Sequence, residues 1–151
     1  MATECKHKAI GIIAKKLEEN NLKYTVDVTG DFEMLEVRLN LAECLPYTVL
    51  FVSTDDDNDV AVRIIGLIHS ISEQKRAAMV DVCNDLNCKY RYFCFYVSPA
   101  GDLDVRFDFP INCSDDCVGP IAVEVIARLV KIIKESCPIL LKALYSSDDP
   151  S

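Results

Sequence analysis

Two spacings of apolar residues alternate along the chain, and each switch between them marks an element. Ile10, Ile13, Ala14 and Leu17 recur at helical spacing with lysines and glutamates opposite, which predicts an amphipathic helix from about residue 4 to residue 20. Residues 23–28 then alternate, with Tyr24, Val26 and Val28 on one side. Residues 33–41 alternate more cleanly, Leu35, Val37, Leu39 and Leu41 facing one way and Met34, Glu36, Arg38 and Asn40 the other. These are strands with one buried and one wet face. Residues 47–54 and 60–69 are apolar on both faces, as expected of interior strands or of strands whose second face meets a partner.

A second helix begins near Glu73, with Ser70 and Glu73 spaced as a capping box or Ser72 as the cap one turn later. Its inner stripe is Met79, Val82, Cys83 and Leu86, and Asn84, Asp85 and Asn87 close it. Strand 91–97 follows, with Phe93, Phe95 and Val97 on one face and Tyr92, Cys94 and Tyr96 on the other. After a turn at Ala100-Gly101-Asp102, strand 103–109 is two-sided: Leu103, Val105, Phe107 and Phe109 inward, Asp104, Arg106 and Asp108 outward. Ser114-Asp115-Asp116 caps a last long helix with the stripe Ala122, Val125, Ile126, Leu129, Ile132 and Ile133. Pro138 interrupts that helix or starts a second piece. Hairpins too short for crossovers make this an α+β fold: an antiparallel sheet of about five to six strands with helices packed on one face. One domain covers residues 1–145, and 146–151 form a disordered tail.

Half of the 151 residues are hydrophobic and about a quarter charged, enough apolar surface for one core without disulfides or a structural metal. With 16 Lys plus Arg against 24 Asp plus Glu the net charge is −8, which argues against nucleic-acid binding. No apolar run reaches the roughly 20 residues a bilayer requires, and the amino terminus is not a convincing signal peptide, so the expected compartment is the cytoplasm. There the eight cysteines are expected as reduced thiols, most of them filling small buried positions.

Candidate chemistry is sparse. Asp55, Asp57 and Asp59 have the spacing of the first calcium-loop ligands, but Val60 stands where glycine is needed and Gly66 where glutamate is needed. Cys113 and Cys117 make half a zinc site with no second half, since His7 and His69 stand alone. No histidine pairs with a nucleophile and no glycine-rich phosphate loop exists, so neither catalysis nor a cofactor or metal is expected. The aromatic residues are the exception. Tyr47, Phe51, Tyr92, Cys94 and Tyr96 lie on strands that cannot all bury two faces under helices on one side. A homodimer or a bound partner helix would cover them, against the alternative of cover from the first helix.

From the segment EQKRAAMVDVCNDLN, closing on Leu86-Asn87, through RYFCFYV, the turn and LDVRFDFPI, to the long helix ending in Cys137-Pro138-Ile139, the chain resembles the YbjN family of small bacterial proteins described as regulators of sensory transduction. The likeness extends over most of residues 21–144. It implies a domain similar to type III secretion chaperones, which are small, acidic, usually dimeric and hold partner segments without chemistry. Together these observations lead to a non-catalytic protein-binding module, chaperone-like or a regulatory adaptor, acting as a homodimer. The alternatives are a cysteine-based redox or metal sensor at Cys113 and Cys117, or a small-molecule-binding domain.

Overall fold

The computed structural model describes residues 5, 7–40, 45–53, 59–111 and 117–147. Helical spacing at the start of the chain produces α1 (Lys8–Glu19), which buries Ala9, Ile10, Ile13, Ala14 and Leu17. The alternating runs become β1 (Thr25–Thr29), β2 (Phe32–Leu39), β3 (Tyr47–Ser53) and β4 (Asp59–Ile68). Then come α2 (Glu73–Lys89), β5 (Cys94–Val97), β6 (Leu103–Pro110) and α3 (Val118–Tyr145). The six strands form one open antiparallel sheet in the order β1-β2-β3-β4-β6-β5. The fold is α+β, with the helices on one face.

Register decides which side chains share that face. Leu35 pairs with Phe51, Phe51 with Val62 and Val62 with Phe107, while Ile64 and Phe95 both pair with Val105. All but Phe107 are fully buried. α1 packs on β2 and β3, α2 on β5, and α3 lies against both other helices, closing one continuous core. Each large side chain removed from water there contributes roughly 1.5–3 kcal/mol. The opposite face carries the rows Glu36, Leu50, Arg63, Arg106 and Met34, Val52, Ala61, Asp108, which no helix among the described residues covers.

Three polar groups pin this arrangement. Glu33, completely buried on β2, accepts the backbone N–H of His7 at 2.6 Å, with His7 Nδ1 at 3.2 Å, and so ties the start of α1 to the sheet. Asp104, expected to be wet, is buried because its Oδ1 accepts the Gly66 N–H at 2.8 Å. There β4 advances from Ile64 to Ile68 while β6 advances only from Val105 to Leu103, and Gly66 takes φ 66° to make the bulge. Asn87 on α2 reaches the edge strand β5: its Oδ1 accepts the Phe95 N–H at 2.7 Å and its Nδ2 donates to the Phe95 carbonyl at 2.9 Å. A side-chain amide thus does for the β5 edge what a further strand would do.

Several boundaries differ from the sequence reading, whereas the start of α2 at Glu73 agrees with it. α2 runs past Asn84 and Asp85 to Lys89, because burying Leu86 and bonding Asn87 outweigh the small helix propensities of those residues. Ser72, extended at φ −64°, precedes the helix, whereas Ser70 has φ 55° and is no cap. β5 starts only at Cys94. α3 is continuous over 28 residues with Pro138 inside it; Lys134, whose carbonyl loses its partner, and Pro138 itself both lie on the exposed side of the helix. The acidic capping residues 114–116, Asp55 and Asp57 of the calcium-loop spacing and most of the tail lie outside the described residues.

Replacing Asn87 with alanine leaves the Phe95 N–H and carbonyl without their amide. The expected loss is about 1–3 kcal/mol in urea unfolding, with a new tendency to associate through the β5 edge. A loss below about 0.5 kcal/mol would mean that water substitutes for the amide.

Candidate functional site

The five residues expected at an interface end up in three places. Tyr47 and Phe51, only 6% and 0% exposed, sit on the face of β3 that α1 packs against. That removes both from any surface of the folded chain: the first helix supplies their cover, the alternative outcome foreseen above. Tyr96 points from β5 to the uncovered face, opposite Asp104, whereas Cys94, paired with Arg106, has its Sγ 3.8 Å from Asn87 Nδ2 of α2. The Arg106 guanidinium stands 5.3 Å over the Tyr96 ring. Burial and the adjacent Asp104 carboxylate, which also bonds the phenol, raise the Tyr96 hydroxyl above its ordinary range, although Arg63 and Arg106 pull the other way.

Tyr92 leaves the alternation altogether. Its φ of 75° is left-handed, so the chain twists before β5 begins, and the ring lands on the helix side with Phe93. It meets Phe107 edge-on at 5.8 Å, Phe107 packs on Phe93 at 5.4 Å, and Phe109 stacks behind at 5.8 Å. Arg128 of α3 lies 5.9 Å from the Tyr92 ring centre and donates from Nε to Glu124 at 2.8 Å. Tyr92 is nevertheless 62% exposed.

Around it lies a groove. Gly119 on α3 approaches α1 so closely that an added Cβ would sit 2.9 Å from Cβ of Lys16, so the first turns of α3 are drawn toward α1. The far flank of α3, bearing Ile121, Val125 and Arg128, stands open above Phe93 and Phe107. The cavity so formed holds about 470 Å3 and is mainly apolar. This gap is why Phe107 is half-buried although its neighbours on the same face, Val105 and Phe109, are buried. A second depression of about 390 Å3 shares Tyr92, Phe93 and Arg128 with the first and adds Lys89, Arg91 and Lys131.

His69, exposed, has Nδ1 3.7 Å from Asp102, which also accepts the Ser70 N–H at 2.9 Å. The His69 ring lies over Gly66, where a Cβ would come within 2.0 Å of it. Among the described residues no three His, Cys, Asp or Glu side chains converge to hold a metal, and no helix is long and apolar enough to cross a membrane. Cys113 and Asp55 and Asp57 lie outside the described residues, and Cys117 is exposed at the mouth of the groove. Comparison with protein families, with characterised proteins and with solved structures gives no match.

Cys83, a free thiol on the buried side of α2, is pushed up from 9.0 to about 11 by burial, with Cys94 nearby adding to the shift. The unfolded chain therefore loses this proton first. Stability from the neutral thiol is whole below pH 9 and declines as pH rises through about 11, so wild type should lose more stability over that range than Cys83→Ala. Parallel pH profiles in urea unfolding would contradict this. The exposed thiol of Cys88 should react with a disulfide reagent in the folded protein while Cys83 reacts only after unfolding.

Proposed function

We propose that the chain is a non-catalytic protein-binding module, a chaperone-like or regulatory adaptor that acts as a homodimer in the cytoplasm. The observation that carries this reading is the apolar groove beside α3, whose rim holds an exposed tyrosine ring in fixed contact with Phe107 and Arg128. Rigid aromatic anchors at the edge of an open apolar trough suit the capture of a side chain from another polypeptide. Ile121, 38% exposed on the opposite wall, extends the apolar surface outward. The same class of activity is what the YbjN resemblance implies.

The second copy is assigned to the uncovered sheet face. Its half-buried centre, Met34, Leu50, Val52 and Ala61, is flanked by the Arg63–Asp108 ion pair and by Arg106. Apolar residues ringed by charges of both signs meet the requirement of a two-fold interface, in which one patch must complement itself.

Selection of displayed random peptides on the full chain, with Tyr92→Ala/Ile121→Asp as counter-target, should yield peptides retained by wild type alone. The two substitutions sit at exposed positions and should each alter stability by about 1 kcal/mol or less. Failure to select any peptide, or peptides held equally by both proteins, would overturn the groove assignment. Light scattering on the eluting wild-type protein should give twice the chain mass, and Val52→Asp should give the monomer with an unchanged far-ultraviolet spectrum. A wild-type monomer at micromolar concentration would overturn the dimer.

A further inference from the structure

We infer that the groove takes an acidic peptide segment carrying one bulky apolar side chain among its carboxylates. The inference rests on the protein-binding reading of the same groove and adds the chemistry of the partner.

The site has two compartments divided by the Tyr92 ring and the Arg128 guanidinium. On one side Phe93, Phe107, Ile121 and Val125 enclose apolar space for a large side chain. On the other, Lys89, Arg91, Lys131 and Arg128 surround the second depression. Four cations in one place are unexpected in a protein of net charge −8. Among the described residues two carboxylates line the same depressions, Glu124 held by Arg128 and Glu135 by the Tyr90 hydroxyl at 2.7 Å, so that four cations against two carboxylates leave a net charge of +2. Arg91 and Lys131 are exposed and make no ion pair among the described residues. Arg128 spends Nε on Glu124, which leaves its other guanidinium N–H groups as donors for an incoming carboxylate.

Charge also discriminates among anions. A long nucleic acid would extend beyond the basic patch into the field of the acidic remainder, which repels it. A short acidic segment experiences little beyond about one Debye length, roughly 8–10 Å at ordinary salt, and so meets chiefly the net positive charge of these four cations and two carboxylates. The apolar compartment then selects among acidic segments, since a carboxylate run without a large side chain leaves it unfilled.

Fluorescence anisotropy of the full chain with short labelled peptides tests this. The probes are a peptide of Asp and Glu around one Phe, its Asn and Gln counterpart, and the acidic peptide with Gly in place of Phe. The first should bind, more weakly as salt is raised, and each of the others should bind about tenfold more weakly or worse. Arg91→Glu/Lys131→Glu should weaken the acidic probe at least about tenfold and leave the amide probe unchanged, with Arg91→Gln/Lys131→Gln as a milder pair should the reversal disturb folding. Equal binding of the acidic and amide probes would overturn the inference while leaving a protein-binding groove in place. No binding by any probe, alongside successful peptide selection, would likewise reject only the acidic partner, whereas failure of both removes the groove as a site. Tighter binding of a single-stranded oligonucleotide, lost in the same variants, would transfer the site to nucleic acid.

Discussion

Three helices cover one face of a six-stranded sheet, and this one-sidedness constrains every strand. The central strands must send their largest apolar residues toward the helices, and the register does so across the sheet from Leu35 through Phe51 and Val62 to Phe107. Because side chains alternate with a period of two, a slip of one residue in any strand would turn its core set out to water. The register is therefore guarded where it is weakest. Glu33 fixes the beginning of β2 to α1, Asp104 fixes the bulge in β4, and Asn87 closes the β5 edge. Among the described residues the opposite edge has no such plug, but β1 is only five residues long and carries Asp27, both of which discourage strand addition.

Much of this was legible in the residues. All nine elements follow from periodicity, and the sidedness of β2 and β6 can be read directly from Leu35–Val37 spacing and from the alternation ending at Phe109. What escaped are features decided by a single backbone angle or by contacts between distant segments. Alternation assigns Tyr92 to the face of Cys94 and Tyr96, and only its φ of 75° sends it to the other side. Asp104 reads as a wet residue, since nothing local signals that the backbone of Gly66 will need an acceptor. Pro138 reads as a break although periodicity already sets Lys134 on the water-facing side of the helix, where the loss of one hydrogen bond is least costly.

The groove illustrates the same limit. Its cations come from residues 89 and 91 at the end of α2 and from 128 and 131 on α3, so no window of the chain displays them together. One signal was present: Ile121 is a large apolar residue off the stripe of Ala122, Val125 and Ile126, on a flank that a simple amphipathic helix would leave polar. Tyr47 and Phe51 mislead for the converse reason. Residues 47–54 are apolar on both faces, and composition alone does not tell which of the two α1 will cover.

The two proposed surfaces meet at β6. Phe107 forms the floor of the groove on the helix side, while its neighbours Arg106 and Asp108 belong to the uncovered face. Since successive side chains of a strand point in opposite directions, a peptide in the groove and a second copy on the sheet approach from opposite sides and do not compete for space. They do share a backbone. Arg63, beside the Val62 that pairs with Phe107, holds Asp108, and Arg106 covers Tyr96 on β5, so the outer face fixes the same strand from which Phe107 projects. Closing a dimer over Arg63, Arg106 and Asp108 would thus stiffen the floor of the groove, and a more rigid floor lowers the ordering cost of binding.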